Sequence, residues 1–291
     1  EMNSPVISVK GDYAAIADMQ GNSIYICNTD GTQGQATTVL PISKVAVSGT
    51  GVTAAVLEDS TSSYITFFKK DGTSLDITVK TNMSGDGYPL SDDGTQLMCS
   101  FVYLQGSELK NRVVFYDFSE IGKNVPNRLV GGFDDEFQGD MVPRVAYMGD
   151  PYSCAFSGKA LTFFSSRNLA SPELLEQRTI EERIDSVFYS DEYAAAIVRN
   201  TNGEYGSRLE VYKKDGTHVL SKEFNFEYTH ADFDGDLIIL YNEDSCRIYN
   251  MSGTEKFDAT FDFPVSKIRK GRFPGTLVVT GPQQMQELKL R

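Results

Sequence analysis

The sequence predicts an all-β chain, a seven-bladed β-propeller of four-stranded antiparallel blades. Three observations carry this expectation. Short runs rich in Tyr, Phe, Val, Ile and Thr alternate apolar with polar residues, and Gly, Asp, Asn and Ser separate them. A turn followed by a strand of small apolar residues recurs seven times along the 291 residues. The pentapeptide KKDGT occurs twice, at 69–73 and 213–217, each time behind an alternating run, YITFF in one case and RLEVY in the other.

The seven turn-and-strand segments are KGDYAAIAD from Lys10, SGTGVTAAVLED from Ser48, SDDGTQLMCSF from Ser91, MGDPYSCAFS from Met148, SDEYAAAIV from Ser190, FDGDLIILYNED from Phe233 and FPGTLVVTG from Phe273. Each leads into a second strand: SIYICN, YITFFKK, RVVFYDF, ALTFFSS, RLEVYKK, CRIYNM and MQELKLR. Four of these end in what reads as one tight turn, with Gly31, Gly72, Gly216 and Gly253 supplying the positive φ that a two-residue hairpin needs. KKDGT is then the same hairpin in two copies of one unit, three units apart. Each unit has an inner, a small-residue, an alternating and an outer strand, so four strands fit about 42 residues, seven times over.

The expected blades are 6–40, 42–81, 88–131, 142–180, 182–224, 226–262 and 264–291, in a single domain spanning 1–291. The small second strands (AAIA, TAAV, AAAI) suit burial on both faces. The stretch 171–184, SPELLEQRTIEERI, opens like a helix, with Ser171 as N-cap and Pro172 in the first turn. Register nevertheless demands an outer strand there, so LLEQRTI should be extended. The third unit lacks the DGT turn and carries the longer insertion FSEIGKNVPNRLVGGFDDEFQGDMVP. The last unit offers three strands, leaving its blade incomplete. In most propellers the other terminus supplies that strand, so a segment upstream of residue 1 is expected.

On these repeats the chain resembles WD-repeat-like and YVTN-like β-propellers, although it has no Trp and hence no WD dipeptide. Its hairpins are similar to those of uncharacterised, membrane-anchored propeller families of Gram-positive bacteria. The resemblance implies an extracytoplasmic domain at the cell surface or envelope, tethered by a segment upstream of residue 1. It transfers no catalytic residues.

The formal net charge of −13 and the lack of a Lys/Arg stripe argue against nucleic acid as a partner. Anionic membrane surfaces are disfavoured for the same reason, so membrane contact is expected only through the upstream anchor. Cys27, Cys99, Cys154 and Cys246 lie in apolar or alternating runs, where buried free thiols are the favoured reading. Cys99 and Cys154 occupy equivalent places in neighbouring units, so a bridge between them is conceivable but not indicated. No apolar run approaches the ~18 residues that a spanning helix requires.

Chemistry is sparse. His218 and His230 read as solvated turn histidines without metal-ligand spacing. There is no GxSxG elbow, and neither GxxxxGK nor GxGxxG is present. No residue is assigned a catalytic role. Asp232, Asp234 and Asp236 alternate like the opening of a calcium loop, but Leu237 stands where the loop glycine belongs. An Asp-rich hairpin turn at Gly235 is the stronger reading, and calcium the only cofactor considered.

The insertion at 133–140, FDDEFQGD, is the more suggestive acidic cluster, because loops on rigid scaffolds commonly carry function. Loops between units and loops between second and third strands share one propeller face. The candidate binding residues there are Asp18, Asp59, Asp134, Asp135, Glu136, Asp140, Arg199 and Asp244, with Glu58, Asn242 and Glu243 alongside. Such a face would attract a basic protein or peptide. The expected function is a non-enzymatic binding or scaffold module of the cell envelope. The alternative is a metal-assisted hydrolase or lyase with carboxylates at the central channel.

Overall fold

Antiparallel strands joined by short turns account for nearly all of the chain in the computed structural model, which describes residues 2–60, 62–81, 84–201 and 204–289. Each sheet is a meander of consecutive strands. The first holds β1 (Pro5–Lys10), β2 (Tyr13–Asp18), β3 (Ser23–Asn28) and β4 (Gly31–Thr37). The second holds β5 (Ile42–Val47), β6 (Thr53–Glu58), β7 (Ser63–Phe68) and β8 (Ser74–Thr81). The third holds β9 (Ser84–Gly87), β10 (Gln96–Gln105), β11 (Glu108–Asp117) and β12 (Leu129–Phe133), beginning four residues ahead of the expected 88. The fourth holds β13 (Arg144–Tyr147), β14 (Tyr152–Phe156), β15 (Ala160–Ser165) and β16 (Glu173–Thr179).

Three sheets follow. They are β17 (Ile184–Tyr189), β18 (Tyr193–Arg199), β19 (Ser207–Lys213) and β20 (His218–Phe224); β21 (His230–Asp234), β22 (Leu237–Tyr241), β23 (Ser245–Asn250) and β24 (Glu255–Thr260); and the three-stranded β25 (Lys267–Lys270), β26 (Thr276–Thr280) and β27 (Met285–Lys289). Residues 290 and 291, the end of the expected last strand, lie outside the described residues. The strands gather into two compact units, Glu1–Gln177 and Arg178–Arg291.

Period-two alternation explains why the second strands are apolar at every position. In β6, Ala55 and Leu57 join a core with Ala15, Ala17, Ile24 and Ile26 of the first sheet, while Ala54 and Val56 join one with Leu97, Cys99 and Phe101 of the third. In β22, Ile238 and Leu240 pack with Ile197 and Leu209 of the fifth sheet, and Leu237 and Ile239 pack with Ile268 and Leu277 of the seventh. A strand covered on both faces has no polar positions to offer. The outer strands keep one wet face, and β24 alternates exposed with half-buried residues from Lys256 onward. The helix-like stretch is indeed strand β16, extended so that it can pair with β15.

The repeated pentapeptide folds into one repeated turn. Lys69 donates its amide to the Thr73 carbonyl at 2.8 Å, and Gly72 donates to the Lys69 carbonyl at 2.9 Å. Lys213, Thr217 and Gly216 repeat these bonds at 2.8 and 2.9 Å. Asp71 Oδ1 accepts the Thr73 amide, and Asp215 Oδ1 the Thr217 amide, both at 2.9 Å. Only the glycines have positive φ, +84° at Gly72 and +85° at Gly216. This corrects the two-residue hairpin expected from the sequence. A type I turn closed by a left-handed glycine forms instead, and the ladder shifts register between Thr66 and Phe68 and between Val211 and Tyr212. Gly253 shares this turn, whereas in the TDGT segment Asn28 pairs directly with Gly31.

Cys99, Cys154 and Cys246 are fully buried and Cys27 is half-buried, all as free thiols. Burial holds the Cys99 and Cys154 thiols well above their usual range and pushes Cys246 up to about 12.

Gly72 has a second duty, since a Cβ there would fall 2.3 Å from the Gln35 carbonyl oxygen of β4, whereas one at Gly31 would meet nothing within 4 Å. Gly72→Ala should therefore cost about 1–3 kcal/mol in denaturant unfolding through both clash and positive φ, whereas Gly31→Ala, at φ +115°, meets backbone strain without the clash. In native alkylation with a thiol reagent, one cysteine of four, Cys27, should react quickly, with the other three following only on unfolding.

Candidate binding surface

Because each sheet is a meander, its second-to-third-strand loop and its link to the next sheet leave from the same strand ends. In the first unit this end carries Asp18, Glu58, Asp59 and the insertion after β12. Asp18 is 8% exposed, and its Oδ1 accepts the backbone amides of Asn3 at 3.0 Å and Ser4 at 2.8 Å. It anchors the start of β1 and is not available to a partner. Asp59 accepts the Ser62 amide at 2.8 Å and the Tyr64 hydroxyl at 3.0 Å, and Glu58 accepts the Ser43 hydroxyl at 3.0 Å.

The insertion is pinned from beneath and at both ends. Phe137, 2% exposed, inserts into the core formed by Phe115, Val145 and Phe164. Asp134 pairs with Arg112 at 2.8 Å. Asp140 accepts the Met141 and Gly158 amides on Oδ1 at 2.9 and 3.1 Å, and the Lys159 amide on Oδ2 at 3.0 Å. It thereby caps the β14–β15 turn, the SGK segment of the sequence. The Glu136 carbonyl accepts the Gln177 side-chain amide at 3.1 Å. Between these fixings the Asp135 and Glu136 side chains are exposed, and Asp135 is bound only by Gln138 at 3.1 Å.

In the second unit Arg199 faces Asp185 at 3.2 Å, and Arg183 approaches the same carboxylate at 3.1 Å. Arg199 and Asp185 border a cavity of about 480 Å³ that also involves Asn225, Phe226 and Glu227. Asn242 donates to the Glu227 carbonyl at 2.7 Å and shapes the adjoining loop. Asp244 accepts the Ser245 hydroxyl at 2.8 Å, and the exposed Glu243 contributes its carbonyl to Val265 at 2.7 Å.

The aspartates at 232, 234 and 236 take another occupation. Asp232 pairs with Arg269 at 2.7 Å, Asp234 accepts the Lys270 amide at 2.6 Å, and Asp236 pairs with the Lys270 ammonium, whose hydrogen bond lowers its pKa. The turn is closed by Gly235 at φ +62°. Among the described residues, no group of three or more metal-capable side chains gathers.

The histidines are more engaged than turn residues need be. His218 Nε2 lies 3.0 Å from Oε2 of Glu210, whose other oxygen binds Arg208 at 2.6 Å and the Ser221 hydroxyl at 2.9 Å. His230 stacks on Tyr241 with ring centroids 4.8 Å apart.

Sequence reasoning also missed a basic cavity. Inner strands of the first unit line about 400 Å³ with Lys44, Arg144, Val6, Ile7 and Tyr88, and among the described residues no carboxylate joins them. The signal was present in SKVAV and PRVAY, where a base opens two matching inner strands.

A family model described as "Family of unknown function (DUF5711)" matches residues 1–290. The chain belongs to DUF5711. No curated protein matches the DUF5711 chain. Among solved structures, it is similar to the C-terminal WD40 domain of Sif2, with 12% identity and a TM-score of 0.60 over 99% of this chain and 85% of that one. It is also similar to BamB from Moraxella catarrhalis, with 12% identity and a TM-score of 0.51 over 98% and 83%. A third is the dihydro-heme d1 dehydrogenase NirN, with 13% identity and a TM-score of 0.61 over 99% and 63%. At such identities the likeness shows the fold alone, and that fold is the β-propeller. Among the described residues of DUF5711, no helix is long and apolar enough to cross a membrane.

Asp140→Ala removes three amide hydrogen bonds at one stroke, two accepted by Oδ1 and one by Oδ2. It should lower stability by about 1–3 kcal/mol in urea unfolding and speed amide hydrogen exchange at Gly158 and Lys159.

Proposed function

We propose that this DUF5711 chain is a non-enzymatic binding module of the cell envelope, one propeller domain over 1–291, which docks a basic protein or peptide on its acidic loop surface. The observation that carries this reading is the loop at 133–140. Phe137 and Asp140 hold it rigidly, while Asp135 and Glu136 present their carboxylates to solvent. A pinned loop binds without first having to be ordered, which lowers the entropy cost of docking. The net charge of −13 attracts a basic partner over long range and repels nucleic acid. The envelope location and an upstream tether rest on the resemblance of the hairpins to membrane-anchored families.

The hydrolase or lyase alternative requires carboxylates converging on the inner strands. In the first unit the described residues lining the inner strands include Lys44 and Arg144.

Binding of a lysine- and arginine-rich peptide, followed by fluorescence anisotropy at low and at physiological salt, tests the proposal. Affinity should fall steeply with salt, and the double variant Asp135→Lys, Glu136→Lys should weaken it by about tenfold, or ~1.4 kcal/mol. An acidic peptide binding as well as the basic one, or a double variant indistinguishable from the parent, would overturn the reading.

A further inference from the structure

At the opposite strand ends of the first unit, the turn before β10, the turn before β14 and the connection after β15 enclose a cavity of about 380 Å³. Its rim is built by side chains. Asp150 accepts the Asp92 amide on one carboxylate oxygen and the Asp93 amide on the other, both at 3.0 Å, which ties two turns together. Asp93 in turn accepts the Ser91 hydroxyl at 2.6 Å and the Thr95 amide at 2.9 Å.

Behind this rim lie Gln96, Tyr147 and Ser166, which are 1%, 3% and 2% exposed. The Gln96 amide nitrogen donates to the Leu169 carbonyl at 3.2 Å, so its oxygen is left to a long 3.5 Å contact with the Tyr147 hydroxyl. Ser166 Oγ is buried with no hydrogen-bond partner. Directly opposite Gln96 in the β10–β11 ladder stands Asp117, whose side chain leaves the same sheet face. Asp117 is completely buried, and its Oδ1 accepts the Ser119 amide at 2.8 Å, while Oδ2 has no partner.

Buried polar atoms are almost always paired, so the orphaned Ser166 oxygen in the cavity wall, with the Asp93 and Asp150 carboxylates beside it, calls for a ligand that supplies donors. No ion pair neutralises Asp93, Asp117 or Asp150 among the described residues. Arg167, which also lines the cavity, donates to the Tyr152 hydroxyl at 2.8 Å and lies over that ring, 5.7 Å from its centre. The field agrees with this geometry. Burial, then the charge of Asp150 and those of Cys99, Asp93 and Asp117, raise the Tyr147 phenol well above its usual range.

We propose that this cavity binds a primary ammonium group, carried by a small free amine or by a lysine side chain. An ammonium is a compact point charge with three donors and no acceptor. The orphan Ser166 oxygen, Gln96 Oε1 and the carboxylates of Asp93 and Asp150 all line the cavity and offer it acceptors, and the Tyr147 hydroxyl can turn to give another. The site lies away from the acidic loop surface and does not depend on the docking proposed there.

Calorimetric titration with butylammonium chloride at constant ionic strength tests the site, with sodium chloride and sodium butyrate as controls and Nα-acetyl-lysine amide as a second probe. Butylammonium should bind one to one and raise the melting temperature, while the controls do neither. Asp93→Asn, whose side-chain oxygen can keep the Ser91 and Thr95 bonds, should keep the fold and lose about tenfold or more in affinity. Ser166→Ala, a smaller change, should weaken binding severalfold and serves if the first variant does not fold. Binding of butylammonium alone supports the free-amine form, and binding of both probes supports the lysine form. Absence of saturable butylammonium binding, an equal response to sodium, or unaltered affinity in both variants would refute the proposal.

Discussion

Strands without a wet face are the constraint from which the rest of this structure follows. β6 and β22 divide their side chains strictly between two neighbouring cores, one on each face. A slip of one residue would exchange the two sets and mismatch both cores together, so register is doubly determined. The cross-sheet cores are correspondingly well filled. Phe164 of β15 meets Phe115 of β11 at 5.4 Å between ring centres and Phe133 of β12 at 4.8 Å. Contacts of this kind bind one sheet to the next through side chains, without any shared ladder.

The same packing governs what the acidic residues do. Turns that seat against a neighbouring sheet cannot leave their backbone amides to water, and aspartates take them up. Asp18, Asp71, Asp140, Asp150 and Asp215 all accept backbone amides. Hydrogen bonds from Thr73 hold the Asp71 carboxyl below its usual range, and the Thr217 amide does the same for Asp215. The excess of acid over base is therefore partly architectural. Asp135, Glu136 and Glu243 are carboxylates that the fold leaves facing solvent.

Much of this could be read from residue order. The seven small-residue strands and the identity of the two KKDGT turns follow from period and turn chemistry, which are local properties, while the extended run of β16 follows from its register in the repeat. Turn class was less legible. Whether a DGT segment closes as a two-residue hairpin or as a type I turn with a left-handed glycine depends on where the ladder slips, and the partner strand sets that. The candidate surface was legible only as a list of acids. Asp18 and Asp135 look alike in sequence, yet one is buried under the chain start and the other is exposed.

By itself, then, the sequence determined strand type, strand count, buried thiols and the turns that need glycine, because alternation and φ preference act within a few residues. Tertiary structure alone decided which carboxylates are committed to backbone amides and which are exposed. It also decided that Gln96, Tyr147 and Ser166 meet, though they come from three strands or turns far apart in the chain. The physical reason is that a hydrogen bond or an orphaned oxygen is defined by its neighbours in space, and packing between sheets chooses those neighbours.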